Sequence, residues 1–358
     1  MHFPMKTSYR DDLRLFRNRS SAMWYGLLFA VLILLPFVFG EYVLSQATFV
    51  FINGMVAMGM VLLVGYTGQI SLGHAAFFAV GAYTAAVLET RGLPFVPALL
   101  AAGALSAVIG VAVGLPALRM KGIYLAMATL AFAFIVEEVI VRWGSVTKGN
   151  RGMTVPDPTI FGYKLGSVPA VYYLSGIVFW IVTLVIVNVM RSRTGRALAA
   201  LRDSDVAAES MGINLALFKT AAFAISAAVT GLAGALYAHK LAYISPEQFG
   251  ILLSVEFLMT VIVGGLGSLH GAVFGSMFFI VLPQIIVQVK AFLPQKVAEL
   301  PVLDSATFGV LVILFVLFEP RGLAGYWVRL KTYLSLYPFY RRGMFRRSRI
   351  GAADLIKH

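Results

Sequence analysis

Cysteine is missing from this 358-residue chain, which removes disulfides, thiol catalysis and cysteine-ligated metals from consideration. Charge is scarce too: Asp, Glu, Lys and Arg make up 13% of the residues against 59% apolar, and a soluble domain carries about twice that charged share. No polar stretch is long enough to fold as a second, water-exposed domain. No Gly-x-x-x-x-Gly-Lys-Ser/Thr loop is present to cradle phosphates. No serine sits in a Gly-x-Ser-x-Gly turn, and the five histidines are scattered. These absences argue against an enzyme and leave an all-α, polytopic membrane protein. The net charge of +13 does not imply nucleic-acid binding, because the basic residues form no single patch.

About 20 apolar residues are needed to cross the hydrocarbon core. Ten windows of roughly that length are expected as spans, at 23–40, 43–64, 75–90, 95–115, 122–142, 170–190, 216–239, 251–266, 271–289 and 305–319; the third, eighth and tenth are short. Cytoplasmic loops retain Lys and Arg. With the N-terminus inside, the segments assigned to the cytoplasm hold 21 of the 29 basic residues, and ten spans bring both termini to that side. The first span is read as retained, since a 22-residue charged leader is long for a secretory signal. The predicted organisation is a cytoplasmic segment 1–22, a transmembrane domain 23–319 and a basic cytoplasmic tail 320–358. Within the domain, an outer loop at 143–169 is rich in glycine and proline and reads as turns. An inner loop at 191–219 is rich in helix formers of both charge signs and reads as a docking helix.

Between spans two and three runs Gly65-Tyr66-Thr67-Gly68-Gln69-Ile70-Ser71-Leu72-Gly73-His74, the pattern of a helix interrupted within the bilayer. Backbone freed from helical bonding survives at membrane depth only when buried in protein or lining a wet cavity, and transporters build paths from such breaks. Gly68, Gln69, Ser71, Gly73 and His74 are therefore candidates to line a translocation path. The alternative is that Gly68 and Gly73 permit close helix packing while Ser71 and His74 bond to the backbone. No further His, Asp or Glu follows His74 at metal-ligand spacing. Glu256, inside the eighth span, is a further path candidate; alternatively it pairs with Lys240 or Lys290 near the outer interface. Glu138 and Arg142 have the spacing of a helical ion pair.

Four ordered blocks carry a family resemblance: Gly65 to Phe78 with Gly81-Ala82-Tyr83; Leu118-Arg119-Met120-Lys121-Gly122 to Leu130; the inner loop through Arg202, Ala207-Ala208 and Met211-Gly212-Ile213-Asn214 to Lys219; and Ser254-Val255-Glu256 to Gly264-Gly265-Leu266-Gly267-Ser268. From about Asn53 to Gly325 the chain resembles the permease subunits of ABC importers for branched-chain amino acids, of the LivM type. The resemblance implies the ABC importer permease fold, a bacterial inner-membrane location and no ATPase site or cofactor of its own, ATP being used by partner subunits. It also implies as partners a LivH-type permease, two cytoplasmic ATPases and a periplasmic solute-binding protein, within membrane lipid. It assigns contact with an ATPase to residues around 196–212, which makes Arg196, Arg202, Asp203, Asp205, Glu209 and Gly212 the coupling candidates. The order Ala207-Ala208-Glu209 followed by Gly212 departs from the Glu-Ala-Ala…Gly order of related importers, and Thr147 to Gly152 is more basic than the family's version. Urea, short amides and aromatic acids are alternative solutes. An ion-coupled secondary transporter is the alternative of another class, disfavoured by the near-isolation of Glu256.

Overall fold

The computed structural model describes residues 19–120, 122–160, 162–290, 302–319 and 322–336. Most of the N-terminal segment 1–22, Lys121 and the tail beyond Leu336 lie outside the described residues.

Each of the ten expected windows holds a helix. In chain order these are α1 (Arg19–Val38), α2 (Glu41–Met60), α3 (His74–Thr90), α4 (Phe95–Ala117), α5 (Ile123–Arg142) and α6 (Val168–Arg191). Two short helices follow, α7 (Arg193–Asp203) and α8 (Asp205–Ser210). Then come α9 (Leu215–Leu241), α10 (Ile251–Gly264), α11 (Leu269–Lys290) and α12 (Val302–Phe318). Seven of the described helices are long and apolar enough to cross a membrane; α12 makes an eighth if counted with the helix that follows it. α3 has 17 residues and is not among those seven.

α9 packs against α3 and α4 on one side and α2 on another, while α2 also contacts α6 and α11, and α11 carries α10. Apolar attraction between helices is weak when lipid is the solvent, so close packing of small residues takes its place. A Cβ on Gly81 would stand 2.0 Å from the Gly231 carbonyl oxygen, and one on Gly234 2.0 Å from that of Phe78; α3 and α9 touch backbone to backbone. By contrast α1 exposes most of its apolar side chains, a surface suited to lipid or another membrane chain.

The two ends of the bundle differ. At one, the loop 143–169 folds into a helical turn at Gly144–Thr147 and the short strands β1 (Met153–Thr154), β2 (Thr159–Ile160) and β3 (Tyr163–Lys164). β1 pairs antiparallel with β4 (Tyr243–Ile244), just beyond α9, and β2 pairs with β3. The Tyr243 hydroxyl also donates to the Arg151 carbonyl at 2.7 Å. Nearby, the expected ion pair between Glu138 and Arg142 forms on the α5 surface. The other end collects the helix break, α7, α8 and the glycine turn between α10 and α11.

One boundary differs from expectation. The segment read as a basic tail from residue 320 begins with α13 (Gly322–Leu336), which packs on α10 and α11 and bends 52° from α12. Arg329 donates to the buried Glu319 at 2.8 Å, so a residue that reads as tail charge is an internal tie. Gly322, at φ 65°, lies against Gly265, where a Cβ would meet the backbone nitrogen at 2.6 Å.

Candidate functional site

α2 ends in a wide π turn at Val61–Gly65 and stops after Thr67; residues 68–73 are non-helical, and α3 starts at His74. Such a break strands amides and carbonyls, and each needs a partner in a medium without water. Helix ends, the break itself and hydroxyls from neighbouring helices provide them. Gly68 N–H donates to Val64 O at 3.2 Å and Gln69 N–H to Leu63 O at 3.3 Å. Leu72 N–H donates to Thr129 Oγ1 of α5 at 2.9 Å, Gly73 N–H to Ser71 Oγ at 3.3 Å and Ala75 N–H to Ser254 Oγ of α10 at 3.0 Å. The expected interruption is thus a built feature, held from α5 and α10.

The predicted path residues separate into two groups. Ser71 and His74 are completely buried, and Gln69 nearly so. His74 Nε2 lies 2.9 Å from Ser226 Oγ on α9, and its ring meets Phe77 edge-on. These side chains are buried among the helices of the chain. The bond of His74 to a side chain also differs from the backbone partner considered for it. Gly68 and Ile70 are exposed, while Gly73 is buried with no room for a Cβ, which would stand 2.7 Å from Thr129 O. Two buried atoms at the break, Gln69 Oε1 and His74 Nδ1, have no hydrogen-bond partner among the described residues. Glu256 is half-buried on α10. Lys240 forms no ion pair with it among the described residues and lies over the Phe49 ring.

The inner segment is compact. Side chains that favour the first position before a helix cap each of its turns: Ser192 accepts from Thr194 N–H, Ser204 from Ala207 N–H and Asn214 from Leu217 N–H. Ala197, Leu198, Leu201 and Ala208 are buried beneath it. Of the coupling candidates, Arg196, Arg202, Asp203, Glu209 and Gly212 are exposed. Gly212, at φ 80°, has open space around it and turns the chain toward α9. Asp205 instead faces inward, its carboxylate 2.9 Å from the buried Lys219 ammonium.

Arg202 reaches furthest. Its Nη1 donates to the Gly65 carbonyl at 2.6 Å, a group left over where α2 ends. A hydrogen bond from a charged donor contributes about 1.5–3 kcal/mol. Gly65 in turn lies so close to the α10–α11 turn that a Cβ on it would stand 2.7 Å from Gly267 N. Sequence reasoning singled out Arg202 as an ATPase contact and missed Thr129, Ser226 and Ser254. No local signal marks a lone hydroxyl on an apolar helix as the partner of a distant amide.

The described geometry agrees with what comparison of sequences finds. Residues 42–317 match the family model described as "Branched-chain amino acid transport system / permease component". The chain is 32% identical to the high-affinity branched-chain amino acid transport system permease protein LivM of Escherichia coli (strain K12), over 80% of this chain and 71% of that protein. It is 27% identical to the corresponding permease protein BraD of Pseudomonas aeruginosa, over 76% of this chain and 91% of that one. To the permease protein LivH of Salmonella typhimurium it is 26% identical, over 76% and 90%. No solved structure matches the chain.

Proposed function

Given that this chain belongs to the family of branched-chain amino acid transport permease components, we propose that it is the LivM-type permease subunit of an ATP-driven importer of leucine, isoleucine and valine. The observation that carries the reading beyond membership is the break at 68–73. It lies among apolar helices, with the Leu72 amide bonded to a hydroxyl of α5 and the Ala75 amide just after it to one of α10, and it is joined to the inner segment through Arg202. A rigid break tied to a surface helix suits a protein that must convert a push on one face into opening of a passage. Gly68 and Ile70 offer the exposed part of that passage, and Glu256 stands on a second helix of it.

The sequence contains no phosphate-binding loop, so the energy comes from other chains. In this reading two cytoplasmic ATPases dock on the inner segment, where Arg196, Arg202, Asp203 and Glu209 are exposed. A LivH-type permease packs beside this chain and covers part of its apolar surface. A periplasmic solute-binding protein seats on the end formed by the 143–169 loop. The location is the bacterial inner membrane with both termini in the cytoplasm.

The test is uptake of labelled leucine into vesicles holding this chain with its companion subunits, competed by unlabelled leucine, urea and phenylalanine. Competition by leucine alone, with strict dependence on ATP, supports the reading. Competition by urea or phenylalanine reassigns the solute, and accumulation driven by an ion gradient without companion chains overturns the class.

A further inference from the structure

The inner segment and the broken helix meet through one side chain. Arg202 stands at the end of α7, whose apolar side is seated by Ala197, Leu198 and Leu201. The arginine stem passes Gly68, where a Cβ would lie 4.0 Å from its Cγ. Nη1 then donates to the Gly65 carbonyl at 2.6 Å. The same nitrogen lies 3.2 Å from the point where Gly267 would carry a Cβ. The guanidinium therefore bonds the last turn of α2 and lies beside the turn between α10 and α11, while the arginine stem runs past the first residue of the break.

Each partner suits that contact. Gly65 lies so close to the Gly267 nitrogen that it has no room for a side chain, and Gly267 adopts φ 86°, a conformation that favours glycine. The guanidinium is planar, with donors in a fixed fork, so its hold on a carbonyl is directional. On the other side, α8 is fastened to the base of α9 by the Asp205–Lys219 pair. A force applied to α7 thus has a short, stiff route to the end of α2.

We propose that Arg202 is a positioning residue that carries displacement of the inner segment to the helix break, and that it works by holding the Gly65 carbonyl and not by touching an ATPase. The inference rests on the reading of this chain as an ATPase-driven permease. Moving α7 draws the end of α2 with it, changing the exposure of residues 68–70 while His74 stays fixed by Ser226.

The experiment uses the whole importer in proteoliposomes, with ATP hydrolysis and leucine uptake measured on the same vesicles. Because this chain has no cysteine, an Ile70→Cys substitution gives the break a thiol of its own, and its labelling is read by mass on the peptide from this chain. Arg202→Ala is expected to keep ATP hydrolysis within about twofold of the parent while uptake per ATP falls at least about tenfold. Trapping nucleotide with vanadate is expected to change Ile70→Cys labelling in the parent and not in the Arg202→Ala background. Arg202→Lys, which keeps charge but not the fork, is expected to lie between, and it carries the test if the alanine variant does not assemble. An unchanged uptake-to-hydrolysis ratio overturns the inference, as does a labelling response that survives in both variants. Loss of the ATPases from the purified complex also overturns it, because it assigns Arg202 to docking. If parent vesicles show no ATP-dependent uptake, it is the underlying functional reading that fails.

Discussion

The His74 ring nitrogen lies 2.9 Å from the Ser226 hydroxyl, so the first residue of α3 is pinned to the middle of α9 with both side chains sealed from solvent. Replacing Ser226 by alanine removes the partner and leaves an imidazole nitrogen buried with nothing to bond, at a cost of about 1–3 kcal/mol. A lowered melting temperature of the purified complex is the expected readout. Under a purely local role, residual uptake at low temperature stays close to the parent value.

Lys219 is nearly buried, and its contact with Asp205 is intermediate between an exposed and a sealed ion pair. Lys219→Ala or Asp205→Ala is expected to destabilise the complex by about 1–3 kcal/mol. Exchanging the two residues, Lys219→Asp with Asp205→Lys, restores part of the loss. Thermal melts of the parent, the two alanine variants and the double alanine variant form a double-mutant cycle, and a coupling energy near zero would contradict the structural role given to the pair.

Backbone contact between α3 and α9 predicts an asymmetry among glycine substitutions. Gly81→Ala places a methyl group 2.0 Å from the Gly231 carbonyl oxygen, whereas Gly26→Ala meets nothing within 4 Å. The first is expected to cost at least the ~1–3 kcal/mol usual for overpacking and to lower the amount of protein recovered from membranes. The second leaves yield unchanged. Quantitative blots of membranes against a fixed standard check both.

Orientation is open to direct measurement because every introduced thiol in this chain is unique. Val206→Cys and Tyr163→Cys sit at exposed positions on opposite ends of the bundle. An impermeant maleimide added to intact spheroplasts is expected to label the Tyr163 position and spare the Val206 position, with the reverse in inside-out vesicles. Labelling of both from one side contradicts the predicted topology.

How much of this was legible in the residues differs by level. Each apolar window became a helix because length and hydropathy alone decide whether a segment can sit in lipid. The glycines at 65, 68 and 73 announced the break for the same reason, since a polar, glycine-rich interruption has few other uses at that depth. Side-chain direction was not legible. Ser71 and His74 looked like path residues and are buried among the helices, and Asp205 looked like a surface charge and holds Lys219. Arg202 is 137 residues from its acceptor, a separation that no local pattern encodes. Residues 322–336 read as a tail because they follow the last apolar window and belong to a basic stretch, and only the fold shows Arg329 turned back onto Glu319.

The wide turn at Val61–Gly65 leaves a further mark on α2. Closing hydrogen bonds over five residues accommodates one residue more than the ordinary spiral does, which throws everything after it out of phase by roughly 100°. A stripe traced along α2 from Glu41 therefore switches to a different side of the rod before Tyr66. An extrapolated helical wheel would aim the last turn the wrong way, and deleting a single residue within 61–65 would swing the Gly65 oxygen off its present bearing without shortening the span appreciably.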